Sequence, residues 1–167
     1  MIREDYIFLL GGSDLEMSEI KSIICDYKKK QNPAVKIEIF DKNLSWGAKL
    51  SSYNDVLEKY LPHRFVGIEL IEDISPPENY IRIDHHNDLS DKPSSIEQIA
   101  DILGIELNRF QKLVAANDKR YIPGMIEAGA TPDEIDEIRK DDRKAQGVTD
   151  KDEELAIESI DKYHNKT

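Results

Sequence analysis

Apolar runs in this chain are short, and they repeatedly end in a carboxylate. Tyr6-Ile7-Phe8-Leu9-Leu10 is uninterrupted by polar residues, the pattern of a strand buried on both faces of a parallel sheet. Gly11-Gly12 breaks it and Ser13-Asp14-Leu15-Glu16 follows, after which Ile20, Ile23, Ile24 and Tyr27 recur at helical spacing. Ser13 and Glu16 have the spacing of a capping box at that helix start. Val35, Ile37 and Ile39 alternate with polar residues and predict a second strand ending at Asp41. Tyr53, Val56, Leu57 and Tyr60 predict a helix that stops before Pro62. A third strand is expected from Phe65 to Ile71 with Asp73 just beyond it. A fourth, carrying Ile81 and Ile83, runs directly into Asp84-His85-His86.

The second half is helical in pattern. Ile96, Ile99, Ala100 and Leu103 share a face between a Ser94/Glu97 capping box and Gly104. Phe110, Leu113, Val114 and Ala116 define the next helix, whose end presents Asp118. Thr131-Pro132-Asp133-Glu134 is a capped helix start with proline at the first position, and Ile135 and Ile138 face inward. Leu155, Ala156, Ser159 and Ile160 mark a last helix. Strand–helix alternation followed by helices predicts an α/β fold with a predominantly parallel sheet and a helical C-terminal part. Residues 1–148 are read as one domain, with a helix over 149–167 packed on it.

Composition narrows the functional classes. A net charge of −11 argues against the broad phosphate-binding surface that duplex DNA requires, but leaves room for cations held by a carboxylate cluster. No apolar run approaches the ~20 residues that span a bilayer, so no membrane partner is expected. The first residues lack a signal-peptide pattern, and the single cysteine, Cys25, cannot form an internal disulfide. Both point to a cytoplasmic, reducing setting. The only tryptophan, Trp46, lies in the loop Asn43-Leu44-Ser45-Trp46-Gly47-Ala48-Lys49. Two readings stand for it: core packing, or a ring that stacks on a base while Lys49 reaches a phosphate.

The candidate chemistry centres on Asp84-His85-His86. In open α/β sheets ligands sit beyond the carboxyl ends of the strands, and a carboxylate with two imidazoles there can hold a divalent cation or polarise a phosphate. The strand-end carboxylates Asp14 and Asp73, and Asp118 at its helix end, are expected around the same cleft.

In this order the residues resemble the DHH phosphoesterase superfamily, over about Asp5 to Tyr121. Asp14 with Glu16 is similar to the family's first motif, Asp73 to its second, Asp84-His85-His86 to its third and Asp118 to its fourth. The first motif departs from the usual Asp-x-Asp, and Leu10 stands where the family commonly has an upstream histidine. The resemblance implies a divalent-metal-dependent phosphoesterase acting on a phosphodiester in a short or cyclic nucleotide. Its metal ligands would be Asp14, Glu16, Asp73, His85 and Asp118, with Mn2+ preferred and Mg2+, Co2+ or Zn2+ as alternatives. Asp84 would orient a histidine ring, and His86 would contact the phosphoryl oxygen as charge develops there, making Asp84, His85 and His86 the catalytic set. Lys49, Lys119 and Arg120 are the weaker candidates for contacts to a small phosphorylated substrate or short oligonucleotide. The family's second, C-terminal domain has no counterpart after Tyr121. Substrate-fixing groups are therefore expected from a missing domain, a partner chain or a homo-oligomer. A non-catalytic metal- or nucleotide-binding module and an inorganic pyrophosphatase are the alternatives.

Overall fold

The computed structural model describes residues 5–164. Met1–Glu4, and the last three residues of the helix expected over 149–167, lie outside them. The described residues form four parallel strands and six α-helices. The strands are β1 (Tyr6–Leu10), β2 (Ile37–Asp41), β3 (Arg64–Ile68) and β4 (Tyr80–Ile83). The helices are α1 (Leu15–Lys30), α2 (Asn54–Tyr60), α3 (Ser95–Leu103), α4 (Arg109–Glu127), α5 (Pro132–Ala145) and α6 (Asp150–His164). The α/β class and the parallel sheet expected from the alternation are what the chain adopts.

Strand order is β2-β1-β3-β4. The chain steps from β1 outward to β2, crosses back past β1 to β3, and continues to β4. The direction of winding thus reverses between β1 and β3, which opens a crevice at their carboxyl ends. Every residue of β1 is buried, because both sheet faces are covered. Tyr6, Phe8 and Leu10 pack with Ile20 and Ile24 of α1 and Ile96 and Ile99 of α3 on one face. Ile7 and Leu9 pack with Tyr53, Val56 and Leu57 on the other. A third cluster joins Leu15 to Leu113 and Val114 of α4 and Ile138 of α5, so the late helices close over the start of α1.

Two details set the floor of the crevice. Gly11 donates its N–H to the Ile68 carbonyl at 2.9 Å. A Cβ on it would lie 2.6 Å from the Glu69 carbonyl oxygen, so only glycine lets the ends of β1 and β3 approach this closely. The Tyr53 hydroxyl donates to the Leu10 carbonyl at 2.5 Å and lies 3.1 Å from that of Phe40, tying the ends of β1 and β2.

Two expectations are corrected. β3 ends at Ile68, not Ile71, because Glu69 adopts φ 54° and turns the backbone out of the sheet. Ser13 forms no capping box with Glu16. Asp14 is the N-cap of α1, accepting the Met17 N–H at 2.9 Å, which frees Glu16 for another role. The apolar side chains Leu155, Ile157 and Ile160 of α6 are exposed. The boxes Ser94/Glu97 and Thr131/Glu134 are both present.

Candidate metal centre

Each carboxylate enters the crevice for a local reason. Asp14 sits in the turn after β1, at the N-terminus of α1. Glu16, in the first turn of α1, is buried; its Oε1 accepts the Ile96 N–H at 2.8 Å, from the first turn of α3. Its charge therefore lies between two helix N-termini, where a carboxylate is favoured. Glu69 is aimed inward by its left-handed backbone, and its Oε1 accepts the Ser95 hydroxyl at 2.9 Å. Asp118 projects from α4 just before that helix breaks at Arg120 and Tyr121.

His85 is where they meet. Its Nε2 lies 2.6 Å from Asp118 Oδ2 and 3.5 Å from both Glu16 Oε2 and Glu69 Oε1. None of these approaches has hydrogen-bond direction: His85 Nε2, Glu16 Oε2 and Asp118 Oδ2 are buried polar atoms without a hydrogen-bond partner. Burying such atoms unsatisfied costs roughly 1–3 kcal/mol each, and several kcal/mol when charged. Carboxylate oxygens that converge on one imidazole nitrogen out of hydrogen-bond direction form a site that a cation can share. Donor atoms of Glu69, His85, His86 and Asp118 lie within 4.8 Å of one another, and so do those of Asp14, Glu16 and Asp118. The two groups share Asp118. A buried set of oxygen and imidazole donors of this kind can bind a divalent metal.

The titration behaviour has the same origin. Burial, then the charges of Glu69, Asp118 and Asp142, raise the Asp14 carboxyl to about 7 against the opposing Met17 hydrogen bond. Burial pushes Glu16 well above the ordinary range. Burial would raise Glu69 too, but His85, His86 and Ser95 override it and hold that carboxyl down to about 2. Burial would lower His85, yet the carboxylates of Asp118, Glu16 and Glu69 raise it to about 12. Glu69 also raises His86. Without a cation, one imidazolium is the main compensation for a buried group of acids.

The other expected residues divide. Asp84 is buried at the cleft, but its Oδ1 accepts the backbone N–H groups of His85 at 2.8 Å and His86 at 3.1 Å. It thus shapes the turn that carries the histidines, in place of the expected bond to a ring. His86 stacks on His85 with ring centroids 4.2 Å apart and faces the cleft half-exposed. Asp73 is not in the cluster. It lies on the surface, where it accepts the Ser51 N–H at 3.0 Å and the Ser51 hydroxyl at 2.5 Å. Glu69 takes the place expected of it, four residues earlier, because β3 stops early. The available signal was a single acidic residue inside the apolar run Val66-Gly67-Ile68-Glu69-Leu70-Ile71. Glu69→Gln should weaken Mn2+ binding at least tenfold, whereas Asp73→Asn should leave it within twofold, as isothermal titration would read.

None of the expected substrate cations enters the cleft. The Lys119 ammonium donates to the Lys92 carbonyl, Arg120 pairs with Glu127 at 2.5 Å, and Lys49 is not among the lining residues. The cleft, about 480 Å³, has no lysine or arginine lining it among the described residues. Asn117 and Asp142, which do line it, were not anticipated. Asp142 reaches from α5 to accept the Leu15 N–H at 3.3 Å and the Asn117 amide at 3.2 Å.

No family model matches the chain, and neither a curated protein nor a solved structure matches it. No helix among the described residues is long and apolar enough to cross a membrane.

Proposed function

We propose that this chain is a divalent-metal-dependent phosphoesterase domain of the DHH type, acting on a phosphodiester in a short or cyclic nucleotide. The observation that carries the reading is the convergence of Glu16 Oε2, His85 Nε2 and Asp118 Oδ2, buried and without a hydrogen-bond partner. Asp14, Glu16, Glu69, His85 and Asp118 would hold the metal, with Asp118 common to both donor groups, which leaves His86 free for the substrate. Mixed carboxylate–imidazole donors without sulfur favour Mn2+, with Mg2+, Co2+ and Zn2+ as weaker fits. Bound cations of this class supply Lewis-acid polarisation of the phosphoryl oxygen and lower the pKa of water.

The remaining roles belong to the chain. Glu69 favours the protonated form of His86, and the half-exposed ring faces the cleft. A protonated His86 donates to a phosphoryl oxygen that is gaining charge, or gives its proton to the departing oxygen. Asp84 fixes the backbone beneath both histidines, and Gln98 steadies that turn by donating to the Asp84 carbonyl at 3.0 Å. Asp142 holds the start of α1 and so the position of Asp14.

A second reading, a non-catalytic metal-binding module of a larger assembly, is favoured by the absence of lysine and arginine from the lining. The same absence weighs against a pyrophosphatase, whose substrate carries dense negative charge. Hydrolysis of a dinucleotide and of pyrophosphate with Mn2+ separates the three. The phosphoesterase reading expects dinucleotide cleavage that Asp118→Asn reduces by about a thousandfold or more. Mn2+ binding without turnover of either substrate would support the module instead.

A further inference from the structure

The loop between β2 and α2 carries a side chain that the metal centre does not use. Trp46 is 85% exposed, the largest exposure among the bulky apolar residues described, yet it lines the same cleft as His86 and Asp118. Its loop is firmly based. Ala48 and Leu50 exchange backbone hydrogen bonds with Ile71 at 2.8 and 2.9 Å, and Ser51 is held by Asp73. Asn43 donates its N–H to Asp41 at 2.9 Å on the other side. Gly47 at φ 85° turns the tip. An indole left in water at the tip of an anchored loop costs hydrophobic free energy that packing would have recovered.

A second aromatic lines the cleft from a different element. Tyr121 is 65% exposed and sits in the break of α4 at φ 54°, ψ −144°, a backbone region that non-glycine residues avoid. The Arg139 guanidinium lies 5.7 Å from its ring centroid, so the ring is held from one side. The cleft therefore combines a polar, anionic floor with two exposed aromatic rings, and no cation to hold a bare polyanion.

We propose that Trp46 is a stacking platform for a nucleobase, and that the cleft takes a nucleoside phosphate, its base on the indole and its phosphate toward the metal centre. This rests on the phosphoesterase reading of the cleft floor and adds the side chain that would recognise the base. Every base has a π-face, so a single indole gives affinity for the nucleoside portion without sequence preference. Tyr121 borders the bound nucleoside. Recognition through the base supplies the binding that the missing lysine and arginine do not.

Because Trp46 is the only tryptophan, its emission reports directly on the site. The chain, loaded with Mg2+, is titrated with adenosine monophosphate and with ribose 5-phosphate, which carries the same phosphate without a base. Saturable quenching by the nucleotide, with ribose 5-phosphate binding at least tenfold more weakly, is the expected result. By calorimetry, Trp46→Ala should lose roughly tenfold or more in affinity for the nucleotide, and Trp46→Phe should recover most of it. Equal affinity for the two phosphates, no nucleotide binding, or unchanged nucleotide affinity in Trp46→Ala would each overturn the platform. A parallel Mn2+ titration of wild type and Trp46→Ala separates the two readings. Metal affinity is expected to be the same in both. Loss of Mn2+ binding from wild type would remove the metal centre, while the contrast between base and no base still decides the role of Trp46.

Discussion

Saturating Mn2+ should raise the melting temperature of the metal-free chain by about 10 °C, and His85→Ala should abolish that gain. A ligand that binds only the folded state stabilises it by ~4 kcal/mol at a thousandfold excess over Kd, and a domain of this size gains ~2–4 °C per kcal/mol. His85 is decisive because its Nε2 is the one nitrogen within 3.5 Å of Glu16, Glu69 and Asp118 together. Its removal takes a donor from the metal and also the positive charge that offsets the buried acids in the metal-free state. The variant should therefore melt earlier than wild type without metal, by an amount typical of breaking a buried pair, ~3–5 kcal/mol. Added Mn2+ should not restore it. Thermal scans with and without metal read both effects. A gain of equal size in His85→Ala would place the ion elsewhere on this acidic surface.

The metal-free chain should lose stability as pH rises from 5 to 8, the reverse of what carboxylate-rich proteins usually do. Asp14 holds its proton up to about 7 in the folded state against an ordinary value of 3.8. Its contribution is fully present below pH 4 and is lost as pH climbs through 7. A shift of about three units corresponds to ~4 kcal/mol. Glu16, also raised, acts in the same direction. His85 adds to it, since its raised pKa makes the folded state keep a proton that the unfolded chain gives up near 6.5. Glu69 has the opposite sign, but its depressed pKa matters only below about 4.5. Asp14→Asn tests the assignment, because asparagine caps a helix as well as aspartate and carries no charge. Urea denaturation at pH 5 and pH 8 should show a flatter pH dependence in the variant and higher stability at pH 8. Bound Mn2+ should flatten the wild-type profile likewise. A wild-type profile that rises toward pH 8 would mean that the acids are ionised and compensated without metal.

The sheet was legible because its strands are written as apolar runs, and β1, buried on both faces, is the plainest of them. Asp14, His85 and Asp118 could be placed in one cleft because strand ends and one helix end are where such a sheet presents ligands, whereas Glu16 entered only through the resemblance of Asp14-Leu15-Glu16 to a family motif. Glu69 escaped for a backbone reason. Its left-handed conformation ends β3, whereas the residues continue in a strand-like pattern to Ile71, so the acid beyond that pattern, Asp73, drew the assignment instead. The role of Asp84 escaped because its partners are backbone N–H groups one and two residues away, which spacing cannot tell from a bond to a ring. Trp46 was legible only as a choice between core and ligand platform, and its exposure rules out the core.

The hydrogen bond from Leu15 to Asp142 joins residues 127 positions apart. Closing so long a loop costs more entropy than the local pairings of the sheet and α1, so the contact is expected to form after them. The donor set follows the same schedule. Glu16 is delivered early with α1, His85 later with the end of β4, and Asp118 only when α4 and α5 dock. A cation binding there joins the first helix to the last-folding ones and acts as a latch on the assembled chain. Its departure would release the α4–α5 unit ahead of the sheet, making the metal a determinant of which part of this protein opens first.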